Sequence, residues 1–419
     1  MTSDWRLAAA LGLLLALLGL LLANAALVCF SLPFAALTMA PFFTRFPRPR
    51  AAAKSDLARL TTVEGRECTI TVTITNEGPS LPYARLRLVV PQQAVPVDCP
   101  SLVTCLETGG ARDLHFRGSF LRGHYPLGPV RLETRDVMGF RSRDELLQFE
   151  ALISVLPRVD RIERLEVLPR KTGTGFGMVR ARTGGAGAEF FGTREYAPGD
   201  RPQRLNWRAT ERWDRPLTNI YDEERSADIG IILDVRAASE VRIHGSSLFE
   251  HSVRMVASLA DSFLRHGNRV GLLCYGRGLD WVFPGYGREH WNRIMAALCA
   301  AAPSDHVVFA AFRNLPIRLF RPRSQLVVVS PVMPQDVPTL RYLRALGFDL
   351  LVVSPDPVGF EDGTASPGDL TWTLARQIVL ARRDAAFTML RRSGARIVDW
   401  DTSVPPALAV SRLGRAWRR

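Results

Sequence analysis

Lysine is nearly absent from this chain of 419 residues, although its 54 basic residues outnumber its 41 acidic ones. It occurs only at Lys54 and Lys171, so arginine carries almost all of the formal net charge of +13. A basic balance can serve nucleic acid, an anionic membrane surface or an acidic partner. The chain also lacks runs of basic residues interleaved with aromatic ones. No nucleic-acid partner is therefore expected.

Cysteine and histidine are too scattered to indicate a metal centre. The six cysteines form no C-x-x-C pair and no zinc-ligand spacing. Cys99 and Cys105 could form a bridge in an oxidising compartment, but reduced thiols in a cytoplasmic domain are the favoured interpretation. His115 and His124 fall in strand and loop patterns, and neither is interpreted as a ligand.

Charge is also missing from the N-terminal part of the chain, where no charged residue occurs between Leu7 and Arg45. A single helix of that length would far exceed the bilayer core of about 30 Å. Residues 1–50 are therefore predicted to form a transmembrane hairpin that turns near Asn24. The alternative is a single span or a signal peptide cleaved after Ala25.

The flanks of this hairpin predict its orientation. Arg6 precedes it, and Arg45, Arg48 and Arg50 follow it. Positive residues on both sides place both ends in the cytoplasm. The prediction is a protein of the cell membrane that contacts the lipid bilayer through residues 7–43, with its soluble domains facing the cytoplasm.

The middle of the chain has the pattern of antiparallel strands. Glu67–Gly78 alternates Thr with Val and Ile, which is typical of a half-buried strand, and Gly109-Gly110 marks a turn. An all-β sandwich is predicted over 56–156. The glycine-rich stretch Lys171–Gly187 has no P-loop order of Gly, Lys and Ser or Thr, so 157–226 is interpreted as a connector.

The C-terminal half alternates strands with helices, which predicts an α/β doubly wound parallel sheet over 227–404. The expected strands include Ala227–Val235, Gln325–Pro331, Phe348–Pro355 and Ala395–Trp400, and the expected helices include Ser247–Gly267 and 369–393. Residues 405–419 are interpreted as a basic tail. Ligands of such sheets lie beyond the carboxyl ends of the strands, where Asp234 falls.

Three motifs in this order resemble the domain of unknown function 58 (DUF58) family. They are R-x-Y-x-P-G-D at Arg194–Asp200, R-x-L-N-W-R-A-T at Arg204–Thr210, and the acidic lead Asp222–Glu224 into the strand that ends at Asp234. The upstream stretch Arg122–Phe140 is also similar, so the resemblance covers nearly the whole chain. It implies a von Willebrand factor A-like domain in the C-terminal half and a MoxR-type AAA+ ATPase as partner.

That resemblance raises the question of a Mg²⁺ site, because von Willebrand A domains hold the ion with D-x-S-x-S, a later Thr and a later Asp. Here Arg236 and Ala238 replace both serines, and Ser330 stands where an Asp is expected. The site at Asp234, Arg236 and Ser330 is interpreted as degenerate. No metal and no cofactor are expected, and Arg236 is predicted to pair with Asp234 or to point to solvent beside it.

The motif region is interpreted as a structural or docking element, not a catalytic centre, because it contains no His or Cys and no Ser with an adjacent base. Pro198-Gly199 predicts a tight turn, Asp200 is expected to accept backbone N–H bonds or pair with an arginine, and Trp207 is expected to pack the turn on the sheet. The residues assigned to this element are Arg194, Tyr196, Pro198, Gly199, Asp200, Arg204, Trp207 and Glu224.

The function expected from the sequence is that of a membrane-anchored, non-enzymatic adaptor or chaperone-like protein that works with the ATPase to assemble or mature a client complex. Two alternatives remain open. One is a hydrolase that uses the strand-end Asp site, and the other is an arginine-rich nucleic-acid binder.

Overall fold

A computed structural model gives the structure of the chain. It describes residues 3–43, 48–91, 94–98, 101–136, 139, 141–163, 173–243, 245–276, 278–306, 311–322, 324–361 and 370–416. Two compact units divide the chain, one over Met1–Leu156 and the other over Pro157–Arg419.

The first unit begins with two helices, α1 (Ser3–Leu21) and α2 (Ala25–Phe43). The chain reverses between them because Ala23 takes a left-handed backbone conformation with φ of 49°. Asn24 then accepts a hydrogen bond from the Ala26 amide through its side chain at 3.0 Å. The Trp5 indole donates to the Thr38 carbonyl at 3.1 Å, which links the open ends of the helical pair.

The predicted transmembrane hairpin is wrong. Within the part of the chain that the structure describes, no helix has both the length and the apolar character needed to cross a membrane. The uncharged part of α1 starts only at Leu7 and is about 22 Å long, against a bilayer core of about 30 Å. In α2, Ser31 and Thr38 interrupt the apolar sequence. Contact of residues 7–43 with the bilayer and localisation at the cell membrane stay predictions.

The rest of the first unit is a set of packed, mainly antiparallel sheets, with strand orders β1-β3-β7-β5, β10-β9-β4-β6 and β2-β11-β8. The first sheet includes a strand that precedes residue 56, the expected start of the sandwich, because β1 pairs antiparallel with β3. The strands are β1 (Ala51–Ser55), β2 (Arg59–Val63), β3 (Cys68–Asn76), β4 (Leu81–Leu88), β5 (Ala94–Asp98), β6 (Ser101–Leu106), β7 (Ala111–Phe120), β8 (Gly123–Pro126), β9 (Val130–Arg135), β10 (Ser142–Leu147) and β11 (Leu152–Leu156).

The alternating residues of these strands build one core. In β3, Ile70, Val72 and Ile74 are buried, and the threonines between them are not fully buried. The opposing strands contribute residues such as Leu86 and Leu132 to the same hydrophobic cluster. This is the in–out pattern of a two-layer β structure.

The second unit contains a six-stranded sheet in the described residues, in the order β18-β17-β14-β19-β20-β21. All neighbours pair in parallel except β17 and β18, which are antiparallel. The strands are β14 (Asp228–Asp234), β17 (Arg269–Tyr275), β18 (Leu279–Gly285), β19 (Gln325–Val329), β20 (Asp349–Pro355) and β21 (Arg396–Trp400), and a short pair β15 (Arg242–Ile243) and β16 (Ser246–Ser247) follows β14.

Helices complete this doubly wound arrangement. Helix α4 contacts β14, β17, β19 and β20, whereas α6 contacts β20 and α8 contacts β21. The helices are α4 (Leu248–Arg265), α5 (Gly287–Ala300), α6 (Val337–Ala345), α7 (Pro357–Glu361), α8 (Leu370–Arg392) and α9 (Pro406–Ala416). Helix α9 falls in the predicted basic tail, but it contacts α4 and β21 and buries Ala409 and Val410, so it is part of the α/β domain.

A strand order of this kind has a topological switch point at its first strand. From β14 the chain proceeds outward through β17 to β18, and then returns to β19 on the other side of β14. The crevice of such sheets opens beyond the carboxyl ends of the two strands that meet at the switch point. Asp234 ends β14 and Ser330 follows β19, so both lie at this position.

The predicted connector is largely a two-stranded antiparallel ribbon of β12 (Gly173–Glu195) and β13 (Leu217–Ser226). Its register shifts at several points in the glycine-rich part of β12. A short helix, α3 (Trp207–Trp213), lies between the strands. We call residues 194–219, at the end of this ribbon, the ribbon tip.

Candidate functional site

A buried arginine closes the carboxyl edge of the sheet at the switch point. We call Asp234, Arg236, Ser239, Ser330 and Asp336 the Arg236 cluster. The Arg236 guanidinium binds Asp234 through Nε at 2.8 Å and through Nη2 at 2.7 Å. It also binds Asp336 through Nη1 and Nη2, each at 2.8 Å. Both carboxylates are thus held in two-pronged pairs, the strongest geometry that arginine offers.

The cluster is shielded from water. The side chains of Arg236, Asp234 and Asp336 are exposed by 3%, 1% and 0%. Burial alone would lower the pKa of Arg236, but hydrogen bonds and the charges of the two aspartates outweigh it and raise that pKa above its usual value. The guanidinium also lies 4.3 Å from the centre of the Phe312 ring, a cation–π arrangement that further favours its charged form.

Every carboxylate oxygen of the cluster accepts at least two hydrogen bonds. Ser239 and Ser330 each donate a hydroxyl to Oδ2 of Asp234, at 2.6 and 2.7 Å. The backbone amides of Phe312 and Met333 donate to Asp336 at 3.3 and 3.1 Å. A carboxylate that is buried and saturated in this way has no lone pair aimed at a substrate, which leaves it poorly placed to act as a general base.

The position of this cluster follows from the local sequence. Asp234 ends an apolar strand that is buried along its length, and the chain turns at once, since the Arg236 amide donates to Asp234 Oδ1 at 3.0 Å. Asp336 lies in a short 3-10 helix, Pro334–Asp336, that leads into α6. Its carboxylate accepts the amide at the start of that helix, which fixes it towards Arg236.

Of the two alternatives predicted for Arg236, pairing with Asp234 is confirmed and pointing to solvent is not, but the second carboxylate was missed. An acid was expected at the end of β19, where the chain has Ser330. Asp336 lies six residues further on, and its only sequence signal is an acid at the Pro-rich start of a helix. Among the described residues, no group of three or more His, Cys, Asp or Glu side chains is placed to hold a metal ion.

A second buried arginine lies at the same edge. Arg383 of α8 donates to the carbonyls of Pro331, Ser354 and Pro355 at 3.0, 3.1 and 3.2 Å. It also donates to Asp399 at 2.6 Å. These contacts attach α8 to the carboxyl ends of β19, β20 and β21. Sequence reasoning did not identify Arg383, because α8 contains five arginines and nothing in the sequence distinguishes this one from its neighbour Arg382.

The ribbon tip contains the motif that the sequence singled out. Gly199 has a φ of 106°, so the predicted Pro198-Gly199 turn is confirmed, with glycine where the backbone is left-handed. Asp200 accepts from the Ala197 amide at 3.0 Å and from Arg194 Nη2 at 2.6 Å. The hydrogen bond from Arg194 and the bond from Ala197 hold the pKa of Asp200 below its usual value.

The other motif residues have different surroundings. The Tyr196 amide donates to the Pro216 carbonyl at 2.9 Å across the ribbon. Arg204 ends the 3-10 helix Pro202–Arg204. Arg194 and Arg204 were both considered as partners of Asp200, and the structure shows the pair with Arg194. Glu224 falls on β13, and its side chain is outside what the structure describes. Cys99, considered above for a disulfide with Cys105, is outside the described residues as well.

The expected packing of Trp207 on the sheet is wrong, because its side chain is 71% exposed. Helix α3 is attached by polar contacts instead. Asn206 caps it by accepting from the Ala209 amide at 3.0 Å and donates to the Asn219 side chain at 2.8 Å. The Thr210 hydroxyl accepts from the Leu217 amide at 3.0 Å. Asn206 and Thr210 therefore anchor the helix, while the side chains of Trp207 and Trp213 are largely exposed.

Together the fold and the two sites define an α/β protein whose switch-point crevice is closed by an internal ion cluster. A family model with the description "Protein of unknown function DUF58" matches residues 192–355. That range begins in β12, includes the whole ribbon tip and the Arg236 cluster, and ends with β20. The similarity to this family that the sequence indicated over nearly the whole chain is thus shown for this part.

One curated relative is Uncharacterized protein YeaD from Bacillus subtilis (strain 168), 25% identical over 183 residues. The match spans 43% of this chain and 43% of the relative, so less than half of either protein is compared.

Solved structures with similar parts include the complex of Zinc 2-glycoprotein and Prolactin inducible protein from human seminal plasma, at 9% identity and a TM-score of 0.20. They also include a non-cellulosomal cohesin from Archaeoglobus fulgidus, at 13% identity and a TM-score of 0.19. Each match covers 26% of this chain, and 96% and 91% of the respective structures. Likenesses this low carry no argument about fold or function.

Proposed function

We propose that this protein is a non-enzymatic adaptor whose C-terminal unit is a von Willebrand factor A-like domain with a guanidinium in place of the metal ion. The observation that carries the proposal is the bridge from Arg236 to Asp234 and Asp336 at the switch point. A doubly wound sheet with one antiparallel edge strand supports the domain type, and Asp234 has the position of its first metal ligand.

This arrangement favours binding over catalysis. A permanently charged arginine pairs with both acids at the crevice where such a fold places ligands. The adaptor would then recognise its partner without a divalent ion at that site. Its proposed partner is a MoxR-type AAA+ ATPase, with which it would act on a client complex during assembly or maturation.

The partner is tested by capture of proteins on the tagged full-length chain from an extract of the native cell. We expect a MoxR-type ATPase among the retained proteins, and we expect the tagged ATPase to retain this chain in the reciprocal experiment. The same tag on an unrelated protein is the control. Both captures are then repeated with the purified chain and the purified ATPase at micromolar concentration. Failure of both would contradict the proposed partnership.

The same preparation tests the enzymatic alternative. An adaptor should show no hydrolysis of activated esters or peptides above the rate of the Asp234→Ala variant. Turnover that the wild-type chain has and this variant loses would favour a hydrolase at the strand-end site.

A further inference from the structure

Helix α3 presents two tryptophans to solvent at the ribbon tip. Trp207 is 71% exposed and Trp213 is 61% exposed, and no residue of the helix is buried. Because Asn206 and Thr210 attach the helix through polar contacts, neither indole is needed to hold it in place. Tryptophan is among the residues that contribute most to protein interfaces, and exposed apolar groups on a surface commonly mark such interfaces.

Several arginines lie near these tryptophans in sequence. The tip uses Asp200 to pair with Arg194 at 2.6 Å and Glu195 to pair with Arg215 at 2.6 Å. Arg201, Arg208 and Arg212 are exposed, and none of them forms an ion pair with another described residue. Arg208 and Arg212 are four residues apart on α3, so they lie on one side of the helix. We call Arg201, Trp207, Arg208, Arg212 and Trp213 the tip surface.

The acids that remain at the tip help to choose between partners. Glu211 lies within α3 between the two arginines, and Asp214 ends the helix in a left-handed conformation. A nucleic acid carries a phosphate at every nucleotide, so its phosphates would come close to both carboxylates and be repelled by them. A protein segment carries fewer charges, which can be spaced to reach the arginines and avoid Glu211 and Asp214.

We propose that the tip surface binds an acidic segment of a partner protein that also carries an apolar side chain. Carboxylates of that segment would form two-pronged pairs with Arg208 and Arg212, and its apolar side chain would lie against Trp207 or Trp213. The inference rests on the proposed adaptor function in one respect, that the partner is a protein. It does not require the partner to be the ATPase.

The test uses the full-length chain and two labelled peptides, one of Glu and Leu residues and one with Lys in place of Glu. Fluorescence polarisation should detect binding of the acidic peptide that weakens as salt is added, and no binding of the Lys peptide. Trp207→Ala, and separately the charge reversal Arg208→Glu with Arg212→Glu, should weaken the binding about tenfold or more.

Matched controls lie elsewhere on the second unit. Phe283→Ala removes another aromatic side chain, 74% exposed, and Arg313→Glu with Arg318→Glu reverses two exposed arginines. Both controls should leave the affinity within about twofold. Since every substituted side chain is exposed, the melting temperatures of the variants should match that of the wild type. Matching melting temperatures would exclude a folding defect as the cause of weaker binding.

Four results would overturn the inference. One is equal binding of the Lys peptide, and another is an unchanged affinity in both tip variants. The third is tighter binding of a single-stranded oligothymidylate that the tip variants abolish, because it would make the surface a nucleic-acid site. A chain that captures the ATPase but binds neither peptide keeps the proposed function and loses this inference.

Discussion

Arg236 is the residue on which the interior of the second unit most depends. It is one cation between two carboxylates, all three buried, and the remaining capacity of the carboxylates is used by hydroxyls and backbone amides. Removing water from such a group is costly, and the mutual pairing together with these hydrogen bonds offsets that cost. The cluster is therefore sensitive to the loss of any one member and far less sensitive to the loss of all its charges.

Replacing Arg236 alone should expose this dependence. In Arg236→Met, two unpaired carboxylates remain buried, and we expect a loss of about 3–5 kcal/mol in the free energy of unfolding. The triple variant Arg236→Met, Asp234→Asn, Asp336→Asn removes all the charges and should recover most of that loss. Denaturant unfolding of the full chain measures both. A single variant as stable as the wild type would show that the cluster is not a closed ion network.

At the scale of elements, the ribbon tip is a short helix and a turn held by local contacts, whereas the strands of the sheet are held by an apolar core. The Arg194–Asp200 pair closes the Pro198-Gly199 turn, and the Tyr196–Pro216 backbone bond joins the two sides of the ribbon tip. Two-stranded ribbons have little stability of their own. Contacts of this kind should therefore decide how well the tip presents α3.

Acid should loosen the tip before it unfolds the sheet. The pKa of Asp200 is lowered in the folded chain by Arg194 and the Ala197 amide, so the pair stabilises the tip above the unfolded pKa of about 3.9. That contribution is lost as the pH falls through the lower, folded pKa. Hydrogen–deuterium exchange, corrected for intrinsic rates, should show falling protection of the 194–217 peptide across this window.

Two comparisons check the origin of that effect. Protection of the β14 peptide should persist over the same pH range, which excludes global unfolding. In Asp200→Asn the tip should be less protected than in the wild type at higher pH, should match the wild type once Asp200 is protonated, and should lose the pH dependence. A wild-type tip whose protection is constant from pH 5 downwards would contradict the role given to Asp200.

The elements that were predictable from sequence are those built on side-chain pattern. The strand expected at Gln325–Pro331 is observed at Gln325–Val329, and the helix expected at 369–393 is observed at Leu370–Arg392, because apolar spacing sets both. The strand in Lys171–Gly187 was missed because glycine has no side chain and so contributes nothing to the alternation of apolar and polar residues that indicates a strand. Asp336 was missed because its contact with Arg236 joins residues 100 positions apart.

At the scale of the whole molecule, the two compact units divide at Leu156 and Pro157, where the sequence predicted the sandwich to end. The helical pair at the N-terminus shows the limit of that prediction. The sequence indicated its turn at Asn24. The two helices were predicted to be membrane spans, although the uncharged part of α1 is short and Ser31 and Thr38 interrupt the apolar sequence of α2.

The central claim for the whole molecule is that Arg236 takes the place of a divalent ion, so the protein binds none at the switch point. Isothermal titration of the full chain with Mg²⁺ to millimolar concentration measures this directly. We predict no saturable heat for the wild type. In Arg236→Ser, where carboxylate and hydroxyl oxygens line the vacated position, we predict that Mg²⁺ binding appears. Stoichiometric binding to the wild type that is lost in Asp234→Ala would contradict the account.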